Sequence, residues 1–202
     1  MSVEAKLDFG GVRRDPVMNM RAQLKLATAV RHARVEEIVE ARGLLRDLPG
    51  YATWLEATLV FHAAIHGAIA PLGPSDLLDA LEIGRRMELI ARDLDALDHP
   101  LPAWSPPVLL DAHSEIDRLG IAYVVEGASL GARILVRHVE RVGCHSGHAA
   151  GFLSAQARSN DRWARLVGVL NSLDPDAAAC QRMCDVSSKA FDLAAGCYGR
   201  VP

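Results

Sequence analysis

His32 lies in "LKLATAVRHARVEE", a stretch whose apolar spacing predicts a helix. Lys25 stands seven residues before it and Glu36 four residues after it. On a helix all three share one side, at steps of one or two turns. A neutral imidazole is a good axial ligand for haem iron. A carboxylate one turn away can take the other ring N–H and so set tautomer and basicity. A lysine two turns back could meet a carboxylate at the edge of such a ligand. On spacing alone, a solvated histidine among charges explains this pattern better.

A second feature shifts the balance. "YVVEGASLGARILVRHV" reads as part of a long apolar helix, yet Gly127 and Gly131 stand one turn apart in it. Each costs a helix interior about 0.5–1 kcal/mol relative to alanine. The pair leaves a strip about 6 Å long without side chains, at about 1.5 Å rise per residue. Tight helix–helix packing and a kink both account for such a pair. The functional reading is a flat ligand lying against bare backbone, whose peptide groups could approach a diatomic on the ligand's metal.

Other constellations carry less. His62 and His66 share a helix face at the spacing of two ligands of one metal. A di-iron bundle needs Glu-x-x-His pairs, and none of the eight histidines has a glutamate three residues before it. Polar residues near a helix end are the expected reading there, as for His99, His113 and His138. Cys144, His145 and His148 sit in a glycine-rich turn and supply few ligands. "GASLG" at 127–131 has the G-x-S-x-G spacing, but the strand needed to carry a nucleophile elbow is missing; no P-loop or G-x-G-x-x-G is present.

The elements that must position these residues read as helices. Half of the 202 residues are apolar, but only 5% are aromatic. Alanine and leucine dominate, which favours helix over sheet. Residues 1–16 read as irregular. Helices are expected from about Val17 to Leu45, Ala52 to Ile69, Asp76 to Leu97 (with Ser75 as N-cap) and Asp111 to Val142. Two more follow, Ala149 to Leu173 with a break near Ser159-Asn160, and a last one capped by Asp174 and running through Phe191. "DHPLPAWSPP", with four prolines, is an extended connector. The expectation is one all-α domain of six to eight helices over 17–202. Net charge is −3 with mixed signs, so no broad basic surface for nucleic acid exists. No run reads as a signal peptide or bilayer span. The four cysteines form no C-x-x-C pair, and reduced thiols in a cytoplasmic protein are expected.

"LKLATAVRH" resembles the proximal-helix motif of haem oxygenases, and "LGIAYVVEGASLGARIL" resembles the distal-helix motif of their bacterial members. "GRRMELIARDLDAL", "RWARLVGVLNSL" and "SSKAF" echo the family in order, so the resemblance spans about residues 20–195. It implies a single-domain haem-oxygenase-like fold, with haem as cofactor and substrate. It also implies His32 as iron ligand, Glu36 and Thr28 supporting it, and Gly127 and Gly131 as catalytic backbone on the distal side. Lys25 and Tyr123 would meet the haem propionates. Ala128 and Ala132 stand where the motif has serine and glycine, so the motif's hydroxyl is either displaced to Ser129 or lost. Trp163 and Val167 stand where some relatives carry basic propionate partners, leaving Arg165 or Arg133 for that role. The implied reaction opens haem to biliverdin, carbon monoxide and ferrous iron with O2. Electrons would come from a ferredoxin, flavodoxin or reductase, and a bacteriophytochrome is an implied product acceptor. Two rival expectations are a non-catalytic haem or tetrapyrrole binder on the same fold (sensor, store or carrier) and an all-α interaction protein.

Overall fold

The computed structural model describes residues 19–76, 81–106, 109–158 and 160–200; the segment 1–16 and most of 76–82 lie outside them. Seven α-helices lie among the described residues: α1 Met20–Ala41, α2 Leu48–Ile69, α3 Ile83–Asp95, α4 Glu115–Glu140, α5 Gly151–Ala157, α6 Asn160–Ser172 and α7 Ala177–Arg200. A 3-10 turn, Ala70–Leu72, extends α2.

Local chemistry sets the helix starts. Asn19 accepts a hydrogen bond from the Ala22 N–H at 2.9 Å and caps α1. Asp47 accepts one from Gly50 at 2.8 Å, with Pro49 in the first turn of α2. Ser114 accepts one from Asp117 at the start of α4, whose first turn is acidic and last turn basic, as the helix dipole favours. Asp93, from α3, accepts from the Gly151 and Phe152 N–H groups and so caps α5 across the fold.

Three expectations need correction. Asp176, not Asp174, caps the last helix, its carboxylate accepting from Ala179 at 2.7 Å. That helix also runs nine residues past Phe191, because Leu193, Ala194, Cys197 and Tyr198 are buried and their packing outweighs the glycines at 196 and 199. By length and composition α2 with its 3-10 turn and α4 could each cross a bilayer, contrary to the sequence reading; half of each stretch is instead buried inside this fold. All four cysteines are free.

α4 runs through the middle of the molecule, against α5, α6 and α7, while α1 lies along α7 and α2 along α3. Of the three glycines on α4, Gly120, which the sequence did not single out, lies closest to a neighbouring helix. A Cβ there would lie 2.5 Å from Val186 Cγ1 and 2.8 Å from the Met183 carbonyl oxygen. Ser187 of α7 donates to the Gly120 carbonyl at 2.9 Å across the same crossing. Gly120→Ala is therefore expected to destabilise the protein by about 1–3 kcal/mol through overpacking. That outweighs alanine's helix preference of about 1 kcal/mol. A lowered denaturant midpoint at unchanged slope would show it.

His62 of α2 is buried, 4% exposed, edge-on to Phe61 and Phe152. Its Nδ1 lies 2.8 Å from the Thr58 carbonyl, so Nδ1 carries the proton and donates. Nε2 has no partner. Burial, and then the Arg86 charge, push its pKa down to about 3. The folded state thus holds the neutral ring, while the unfolded chain protonates near pH 6.5. Stability from this group is present above about pH 6.5 and is lost as pH falls toward 3. His62→Gln should flatten the wild-type loss over that window, by about a few kcal/mol, in unfolding curves measured at successive pH values. His66 is exposed, and no group of three or more potential ligands gathers among the described residues.

Candidate functional site

His32 and Gly131 line the same cavity, of about 720 Å³, one from each wall. That volume suits a small-molecule ligand. α1 supplies one wall at helical spacing, His32, Val35, Glu36 and Val39; α4 supplies the other, with Ala128, Gly131, Ile134 and Leu135 among its residues. Trp54 and Tyr198 line it from α2 and α7.

The imidazole is held in place. Its Nδ1 lies 3.4 Å from Glu36 Oε2, and its ring stands edge-on to Phe191 of α7 with centroids 5.6 Å apart. No protein group among the described residues partners Nε2. A carboxylate on Nδ1 favours the tautomer whose Nε2 lone pair is free for a metal.

The two motif glycines differ. A Cβ on Gly131 would meet nothing within 4 Å, so this glycine keeps space open in the cavity. A Cβ on Gly127 would lie 3.7 Å from the Trp163 ring. Trp163, from α6, packs on Tyr123 at 5.7 Å between centroids and carries the Arg21 guanidinium 5.9 Å over its face.

The remaining sequence-derived residues lie elsewhere. Thr28 is buried; its hydroxyl donates to the Leu24 carbonyl at 2.7 Å and also hydrogen-bonds Tyr123. Tyr123, beneath Trp163, does not line the cavity, and neither does Lys25, exposed on α1. Ser129 is buried and donates to the Glu126 carbonyl at 2.6 Å, which ties it to its own helix. Arg133 donates to the Ala157 carbonyl at 3.3 Å. Arg165 lines a separate cavity of about 330 Å³ together with Arg86 and Arg162.

Sequence reasoning missed a buried ion network behind α4. Arg86 pairs with Glu126, both 3% exposed, and Arg162 pairs with Glu82 and lies 3.7 Å from Glu126 Oε2. Burial raises the Glu126 pKa, and the two guanidiniums oppose that rise. The signal was there: a glutamate after "YVV" in an apolar helix needs a buried cation.

No family model matches the chain. Over 95 residues it is 33% identical to a haem oxygenase of Xanthomonas campestris pv. campestris, covering 47% of this chain and 56% of that protein. The matched stretch thus spans little more than half of that relative's length. Over 158 residues it is 24% identical to the haem oxygenase PigA of Pseudomonas aeruginosa, covering 77% and 80%. The fold superposes on the NO- and CO-bound haem oxygenase of Neisseria meningitidis with a TM-score of 0.74, at 22% identity over 90% of this chain and 91% of that one. The haem oxygenase of Leptospira interrogans gives 0.67, at 17% identity over 90% and 99%. In sequence and fold the chain is similar to members of the bacterial haem oxygenase family.

Within that family's distal motif, the two alanine departures fall on different faces. Ala128 lines the cavity, beside Gly131. Ala132 is 2% exposed and points into the core, so the glycine it replaces is no loss to the cavity wall.

Proposed function

We propose that this protein opens haem to biliverdin, carbon monoxide and ferrous iron, using O2 and electrons from an external donor. The observation that carries the reading is that His32 of α1 and Gly131 of α4 line one cavity. The residues present fit the group. An imidazole with one free nitrogen faces a wall without a side chain, between apolar surfaces suited to a flat macrocycle.

In this reading His32 holds the iron through Nε2, and Glu36 keeps the Nδ1 proton in place. Gly131 leaves the opposite face free for a diatomic. Val35, Val39, Ile134 and Leu135 hold the ring by its faces and limit water. Backbone groups around Gly131, with ordered water, hold a proton near that face. Bound haem supplies its own iron to activate oxygen and is itself the molecule consumed. The sequence has no flavin or nucleotide motif, so a ferredoxin, a flavodoxin or a reductase is the donor we assign.

The test is a hemin titration followed by reductant in air. A Soret band should form at one equivalent, then decay as biliverdin and carbon monoxide appear. A stable Soret band with no pigment would make the chain a haem carrier, and no band would remove haem altogether.

A further inference from the structure

We propose that the cavity has a fixed polarity in its own plane, with the ligand's carboxylates directed to Arg46, His138 and Arg141 rather than to Lys25 and Tyr123. The inference rests on the haem reading above and specifies how that ligand sits.

The two ends of the cavity differ in chemistry. On the Lys25 side the lining stops at His32 on α1 and at Ala128 on α4. One turn before Gly131, the Trp163 ring covers Gly127 and packs on Tyr123. Neither ring lines the cavity, and Tyr123 is engaged with Thr28. At the other end, Arg46 from the α1–α2 turn and His138 and Arg141 from the end of α4 line the same cavity.

The two guanidiniums are available. Arg141 is held by two contacts, Nε donating to the Arg137 carbonyl at 3.2 Å and Nη2 to His138 Nδ1 at 3.3 Å. Neither Arg46 nor Arg141 has a carboxylate partner among the described residues. Of the two acids lining the cavity, Glu36 is engaged with His32, which leaves only Glu40 against two guanidiniums. The helix dipole accounts for basic residues at the end of α4, but not for Arg46 converging there from another turn. An apolar slot with guanidiniums free of carboxylate partners at one end orients a flat amphiphile that carries carboxylates along one edge. The orientation fixes which edge of the ring lies under Gly131, and hence which edge is exposed to reaction.

The experiment compares hemin with hemin dimethyl ester, each titrated into the full chain and followed by the Soret band. Wild type should prefer free carboxylates by about tenfold or more, the worth of one charge-assisted hydrogen bond. The Arg46→Ala/Arg141→Ala double variant should bind both forms equally. Lys25→Ala and Tyr123→Phe should keep the preference, and Arg46→Lys/Arg141→Lys should restore part of it. Circular dichroism checks that each variant is folded. A preference that survives the double alanine variant, or falls in the Lys25 or Tyr123 variant, overturns the orientation. Equal binding by wild type overturns it too while leaving the haem reading intact; absence of any Soret band sinks both.

Discussion

His32→Ala is expected to cut turnover by more than about 100-fold and to change the iron's absorption spectrum. Partners that merely orient a metal ligand are worth about 10–100-fold, so loss of the ligand itself must exceed that. The side chain is 57% exposed beside an open cavity, and its removal should leave the fold's stability nearly unchanged. That separates it from a structural histidine. Glu36→Ala should give an intermediate result, because Glu36 only holds the Nδ1 proton, 3.4 Å away. Free imidazole added to His32→Ala should return part of the spectrum, since the cavity keeps room for it. Turnover and spectrum both unchanged in His32→Ala would refute the assignment.

Much of this arrangement was legible before any coordinates. The histidine with a glutamate one turn on is a local pattern, and helix geometry alone puts them together. Helix starts were less legible: the apolar pattern began two helices at Ala52 and Asp111, whereas Asp47 and Ser114 cap them a few residues away. What was not legible depends on partners distant in the chain. Three glycines on α4 look alike as letters, yet only the neighbouring helix tells them apart. Gly120 meets Val186 and the Met183 carbonyl, Gly127 meets Trp163, and Gly131 meets open space. Helix α7 outran its expected end because Leu193 and Cys197 are fully buried, and glycine propensity cannot register burial. The same holds for the ligand's polar edge. Lys25 shares a face with His32 on one helix, whereas Arg46 reaches the cavity from a turn and Arg141 from 109 positions after His32.

Gly131→Leu should lower turnover by about 100-fold while leaving measurable hemin affinity. The argument is one of volume and placement. A Cβ at this position meets nothing within 4 Å, so a leucine does not clash with protein and the helix folds. Its branched end instead projects into the cavity opposite His32, where a diatomic would stand. The cavity, at about 720 Å³, still admits a flat ligand bound through His32. Displacement of reacting atoms by about 1 Å is enough to cost about 100-fold. Gly131→Ala supplies the graded control, because alanine favours helix by about 0.5–1 kcal/mol over glycine. That variant should therefore be more stable than wild type and yet slower, the opposite signs expected where a glycine is kept for function. Gly127→Ala should gain stability too, against an ordinary 3.7 Å contact with Trp163, but lose little turnover. Ring opening at the wild-type rate in Gly131→Leu would mean that oxygen is activated elsewhere, and the bare wall of α4 would then have no part in the chemistry.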